Sequence, residues 1–228
     1  MTARPEQLHV TRALLDAEWT RIAHLLTLAE AGVTGAALPE NFEASFTAAG
    51  EAVEAAREGG AWRGLVGHVT PELLDALTRL DLEIMALALA PLARPSLAPR
   101  LQSLQPHLGR AWPSLPLMQE LCMLDEPGDI ALLFDRLAPT APLAVSGLVK
   151  VEGTAPYQTV RPGPALVRAL LGRDAELAPP PGATLSDRRG DWGALILPGP
   201  ALRQLRDFAA WVQRAEMIET EWGGGRAH

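Results

Sequence analysis

Of three side chains that carry much of protein chemistry, this chain of 228 residues has one each: Cys122, Lys150 and Tyr157. A single cysteine closes no intrachain disulfide and supplies no zinc cage of two or more thiolates, so nothing marks the chain as secreted. The single lysine excludes more. A nucleotide-binding P-loop needs a lysine directly after a glycine and before Ser or Thr, so that the ammonium reaches the β- and γ-phosphates. Lys150 stands between Val149 and Val151, and Schiff-base or lysine-general-base chemistry is left with that one position. Long hydrophobic runs are missing too: the longest strongly apolar uncharged stretch, 84–93, falls far short of the roughly 20 residues that span a bilayer. No apolar stretch follows the charges of Met1-Thr2-Ala3-Arg4-Pro5-Glu6, so a signal peptide is not expected.

What is present is a globular composition. Hydrophobic residues make up 48% and charged residues 21%, outside the corner in which chains stay disordered. The length fits one large or two small domains. A net charge of −7 removes the global basic field that sequence-independent nucleic-acid binders use. A cytoplasmic protein without a membrane segment is expected.

The pattern predicts a mainly α (α+β) fold. Leu8, Leu15, Trp19, Ile22 and Leu26 recur at helical spacing from Pro5 to about Glu30, with Arg12, Asp16, Glu18 and Arg21 read as off that stripe. Asn41 stands at an N-cap position before Phe42, Phe46, Ala49 and Val53, a second helix ended by Gly59-Gly60. Residues 1–60 thus read as an α-helical hairpin. Thr70-Pro71 opens a third helix with the stripe Leu73, Leu77, Leu80, Ile84, Leu87, closed by Pro91 and Pro95. Shorter helices follow at 97–108, 113–124 and 129–137. The runs Leu148 to Val151 and Tyr157 to Val160, separated by Glu152-Gly153-Thr154-Ala155-Pro156, read as a β-hairpin. Pro164 to Leu171 is a helix stopped by Gly172. Short helices followed by a two-stranded hairpin form the element order of a winged helix-turn-helix, with the hairpin as wing, over 61–172. The Pro-rich stretch 173–191 reads as a linker. Residues 192–228 read as a strand from Trp192 to Leu197 and a helix from Pro200 to about Thr220, with Leu202, Leu205, Phe208 and Val212 on one face.

The search for chemistry returns little. His9, His24, His68, His107 and His228 never pair at i, i+4 around a glutamate, as a helical zinc protease requires. Cys122, between Leu121 and Met123, reads as a buried, inert thiol. Ser146-Gly147 lacks the upstream glycine of a nucleophile elbow. Asp75, Asp81 and Glu83 share a helix and read as solvated carboxylates. Asp81 lies close enough to the apolar stripe to act as an internal cap or an ion-pair partner, with Arg79 and Arg110 nearby. No catalytic, cofactor or metal residue is assigned.

The helix in the recognition position, Pro113 to Cys122, has no basic residue and only Gln119 suited to a base edge. Arg100 and Arg110 flank it, and Lys150 and Arg161 mark the wing as phosphate contacts for the alternative function, a DNA-binding transcriptional regulator. An apolar recognition face suits protein contact better, because burying leucine and methionine is favourable. The candidate partner-binding residues are therefore Leu115, Leu117, Met118, Lys150 and Tyr157. An enzyme would require convergent polar residues, which the sequence does not set out.

Leu80 to Leu92, Trp112-Pro113-Ser114-Leu115, Leu137-Ala138-Pro139-Thr140-Ala141-Pro142-Leu143 and Gly147 to Gly153, in this order, resemble one bacterial family. It is the region N-terminal to the ATPase core in AAA+ ATPases that carry a winged-helix domain, some of which accompany contractile injection systems. Trp192 to Pro198, Ala210-Trp211-Val212 and Glu221-Trp222-Gly223 look like the lead-in to that core, so the resemblance covers roughly 65–223. It implies a non-catalytic regulatory or adaptor region, with a protein or AAA+ ring subunits as partners and a homo-oligomer as an option. ATP and Mg²⁺ would enter only with an AAA+ core in a longer form, since the family's P-loop would come after residue 228. The family's basic run before the recognition proline is reduced here to Arg110.

Overall fold

A computed structural model describes residues 5–154, 157–172 and 197–213, with side chains described from residue 13 to residue 210 within those segments. The chain divides into two compact units, Met1–Leu177 and Ala178–His228. The described part is mainly helical with one two-stranded antiparallel sheet, as the hydrophobic periods predict at that level. No described helix is long and apolar enough to cross a membrane.

In the first unit, α1 (Pro5–Thr34) and α2 (Phe42–Glu58) pack as a hairpin. Leu15, Trp19, Ile22, Leu26 and Ala29, at steps of four and three, give α1 its buried stripe. Phe42, Ala49, Val53 and Ala56 do the same for α2, and the rings of Phe42 and Phe46 stack 5.8 Å apart. Asn41 is not the side-chain cap that its position suggests. Its backbone is left-handed, with φ 65° and no side-chain cap bond. It holds the positive-φ corner of a turn closed by Phe42 N–H donating to the Pro39 carbonyl at 3.0 Å, a conformation asparagine tolerates better than most residues.

The helix expected to run unbroken from Pro71 is two helices, α3 (Pro71–Ala76) and α4 (Arg79–Ala93). Thr70 caps the first through Leu73 N–H. The chain is extended at Leu77 and Thr78, and Thr78 with Asp81 forms a reciprocal capping box. Asp81 N–H donates to Thr78 Oγ1 at 3.3 Å, and Thr78 N–H donates to Asp81 Oδ2 at 2.7 Å. Four local hydrogen-bonding groups are satisfied at the break, which outweighs the apolar period running through it. Every residue of α4 from Glu83 to Pro91 is buried, as befits a helix apolar almost all round.

The remaining elements are α5 (Ala98–Leu104), α6 (Leu115–Leu121), α7 (Pro127–Leu137), α8 (Pro142–Val145), the hairpin of β1 (Val149–Glu152) and β2 (Thr159–Pro162), and α9 (Pro164–Leu171). Of these, α5, β2 and α9 pack on α4, α6 packs on α1, and α8 packs on α7 and β1. The strands pair with Val149 opposite Pro162, Lys150 opposite Arg161, Val151 opposite Val160 and Glu152 opposite Thr159, displaced toward the C-terminus from the expected runs. Gly172, at φ 60°, ends α9. One hydrophobic cluster joins Leu15, Trp19 and Ala56 to Ile84, Leu101, Met118, Leu133, Val160 and Leu170. The boundary expected near residue 60 runs through this cluster, since Ala61, Trp62 and Leu65 belong to it as well.

The second unit contributes α10 (Gly199–Gln213), where Leu202 is half-buried and Leu205 is exposed. The expected linker 173–191, the strand 192–197 apart from Leu197, and the helix beyond 213 lie outside the described residues.

Candidate interaction surfaces

Ser114 caps α6, its Oγ accepting from Leu117 N–H at 3.4 Å. The helix turns Leu115, Leu117, Met118 and Leu121 inward, Met118 being 0% exposed. The apolar recognition face expected to meet a partner is therefore core. A seven-residue helix that packs against α1 has no second apolar face to offer; its exposed positions are Pro116 and Glu120. The other two candidates stay at the surface on the hairpin side. Lys150 is exposed on β1, and Tyr157 is 54% exposed with its ring edge-on to His107 at 5.0 Å. The structure thus separates the five candidates into an interior group and a hairpin group.

The hairpin face is held by Gln105, which is buried and fully used. Its amide nitrogen donates to the carbonyls of Arg110 and Trp112 at 3.1 and 2.6 Å, and its oxygen accepts from Ser114 N–H at 2.9 Å. Backbone bonds from Val160 N–H to the Pro113 carbonyl and from Leu115 N–H to the Gln158 carbonyl join this loop to β2. Of the four cations expected to meet phosphate, two are engaged elsewhere. Arg100 reaches α1, donating to Glu30, Thr27 and the Ala23 carbonyl. Arg161 lies over the Trp112 ring at 5.1 Å and bonds Glu152. Arg110 and Lys150 remain exposed.

Of the three carboxylates expected to share a helix in solvent, Asp75 is exposed on α3, whereas Asp81 and Glu83 of α4 are buried and, like Glu18, pair one helix to another. Glu18, read as off the α1 stripe, is 0% exposed. It accepts from Arg57 Nε of α2 at 2.7 Å and from Trp62 Nε1 at 3.2 Å. Glu83 accepts from Arg21 at 3.2 Å and ion-pairs with Arg79 at 3.4 Å, while Arg79 also meets Glu54 at 3.0 Å. Asp81 is the internal cap and ion-pair partner that its position foreshadows, but its partner is Arg136 of α7, whose Nε donates to Oδ1 at 2.7 Å. Neither Arg79 nor Arg110 fills that role. Position does carry a signal for Glu18: it lies three residues after Leu15 and four before Ile22, inside the buried arc of α1. Burial, and next the charge of Glu83, push the Cys122 thiol up to about 12, so it is a neutral thiol at physiological pH.

The sequence gives no weight to α7, yet α7 leaves large apolar groups in solvent. Leu133 and Leu137 are buried, whereas Leu132 and Phe134 are 47% and 53% exposed. At 3.6 residues per turn, Gly128, Ala131 and Asp135 form its outer line, with Leu132 and Phe134 on opposite shoulders. A Cβ built on Gly128 meets nothing within 4 Å. The one cation of α7, Arg136, is held by Asp81 and the Ala76 carbonyl. Glu120, Asp125, Glu126, Asp129 and Asp135 are exposed and make no ion pair among the described residues. A signal for this surface exists in Ile130, Leu132, Leu133, Phe134 and Leu137, which an eleven-residue helix cannot all turn to one side.

Set against known proteins, the chain matches no family model, no curated protein and no solved structure.

Proposed function

We propose that this chain is a non-catalytic regulatory or adaptor region whose work is docking to a protein, with AAA+ ring subunits as the partner class that the resemblance implies. In this reading residues 61–172 are a winged helix-turn-helix domain with the β1–β2 hairpin as its wing. The α1–α2 hairpin contacts a partner or ring neighbour, residues 173–191 link, and residues 192–228 lead into an AAA+ core, which would bring ATP and Mg²⁺ with it. The protein acts in the cytoplasm.

The observation that carries this reading is where the side chains end up. Phe134 and Leu132 stay in solvent, while the interior charges Glu18, Arg57, Asp81 and Glu83 are engaged between helices. Exposed large apolar groups beside polar ones mark contact surfaces. The docking residues of this reading therefore include Leu132 and Phe134 of α7 rather than Leu115, Leu117 and Met118 of α6. A second reading, a winged-helix DNA-binding regulator, draws on the exposed Lys150 and Arg110.

The test mixes the full chain with the AAA+ ATPase core of its own cells and follows sedimentation velocity. Co-sedimentation that Phe134→Asp weakens is the expected result. Absence of any association overturns the adaptor reading, and a gel shift of genomic DNA that fades with salt then establishes the second.

A further inference from the structure

We infer that the outer face of α7 is a seat for a basic amphipathic helix of a protein partner, an inference that rests on the adaptor reading and names its partner's chemistry. Shape comes first. The line Gly128, Ala131, Asp135 has small side chains at its first two positions, with open space over Gly128, and the exposed Leu132 and Phe134 rise on either side of it. Small residues along a helix let a second helix approach closely, and the flanking large side chains enter the grooves of that helix. An apolar stripe on the partner would cover Phe134 and Leu132 and remove their surface from water.

Charge then selects the occupant. Asp135 lies on the outer line, Asp125 and Glu126 precede the helix at its N-terminal end, and Asp129 lies one turn before the buried Leu133; none is ion-paired among the described residues. The one positive charge of α7 is drawn inward to Asp81. An acidic partner would meet Asp135 and the acidic N-terminal end of the helix at Asp125 and Glu126, whereas lysines or arginines flanking an apolar stripe would pair with them. Nucleic acid is disfavoured at this face for the same reason.

The test uses the full chain and two fluorescent amphipathic helical peptides of equal length and apolar stripe, one Leu/Lys and one Leu/Glu. Anisotropy should report binding of the Leu/Lys peptide, weakened several-fold as ionic strength rises from about 0.05 to about 0.5 M, and no binding of the Leu/Glu peptide. Ala131→Arg and Phe134→Asp should each weaken binding by about tenfold or more. The double variant Glu126→Lys/Asp135→Lys should transfer the preference to the Leu/Glu peptide. Val33→Asp, at an exposed position of α1, should leave binding unchanged, and circular dichroism melts confirm that each variant folds. Equal binding of both peptides, or full affinity in Ala131→Arg and Phe134→Asp, overturns the inference. A concentration-dependent dimer abolished by Phe134→Asp, without peptide binding, overturns it in favour of a second copy. Association with the AAA+ core that survives Ala131→Arg and Phe134→Asp, when no peptide binds, overturns this inference alone; loss of both kinds of binding in the unmodified chain overturns the adaptor reading with it.

Discussion

Glu18 on the first helix and Arg57 on the second meet in an ion pair of 2.7 Å, with Glu18 closed off from solvent and Arg57 nearly so. The contact joins the two arms of the helical hairpin, and Trp62 adds a third partner from the segment that follows. Arg57 also faces Glu54 at 3.6 Å and Glu83 at 3.9 Å, linking the pair to α4.

Arg57→Met leaves the Glu18 carboxylate buried without its cation, and a loss of about 3–5 kcal/mol in urea unfolding is expected. The double variant Glu18→Leu/Arg57→Met should recover much of that loss, because no uncompensated charge remains. A single-variant loss below about 1 kcal/mol would show the pair to be worth no more than a surface salt bridge.

Cys122 gives a pH dependence of known sign. Its thiol ionises near 9.0 when free and at about 12 in the fold, so the fold favours the protonated form. The stability this contributes is fully present below pH 9 and is lost as the pH rises from 9 to 12. The difference between wild type and Cys122→Ala in denaturant midpoints should therefore change across that window and be flat below it. Native alkylation by iodoacetamide at pH 8 should be far slower than in denaturant; equal rates would contradict the burial.

Two glycines should respond oppositely to alanine. At Gly163 a Cβ would run into the Gly147 carbonyl, backbone that cannot swing aside, while Gly163 N–H bonds the Leu148 carbonyl at 2.7 Å. Gly163→Ala is expected to cost about 3 kcal/mol or more. Gly128→Ala, in open space within α7, should be neutral or stabilising by about 0.5–1 kcal/mol. Thermal melts of the two variants suffice to compare them.

The corrected placement of α6 is open to the same kind of measurement. Met118→Ala should destabilise by about 2–5 kcal/mol as a core truncation, whereas Tyr157→Ala at the hairpin surface should stay within about 1 kcal/mol. Near-neutral behaviour at Met118 would return that residue to the surface.

Much of the element order was legible because its signals act within a few residues. Thr70-Pro71, Pro113-Ser114 and Pro164 open helices and Gly172 closes one where the expectation puts them. The break between α3 and α4 was missed, although the capping-box spacing of Thr78 and Asp81 is a local signal for it. It was hidden by the apolar period Leu73, Leu77, Leu80, Ile84, which continues through it. Asn41 shows the converse: a capping residue type, used for its left-handed backbone.

The candidate surface was less legible, and the reason is distance along the chain. Residue type and period marked Leu115, Leu117 and Met118 as apolar, but only the packing of α1 against α6 makes that face interior and leaves Phe134 outside. Type alone assigned Glu18 to water; Arg57, 39 residues away, makes its burial tolerable. Local chemistry set the class of fold, the positions of most helix starts and the exclusion of a P-loop, because caps, prolines and positive-φ glycines need only their neighbours in sequence. Which faces are buried, which charges are paired and which apolar groups remain for a partner were decided by tertiary contact, because desolvation depends on what is packed against a group and the chain order does not state that.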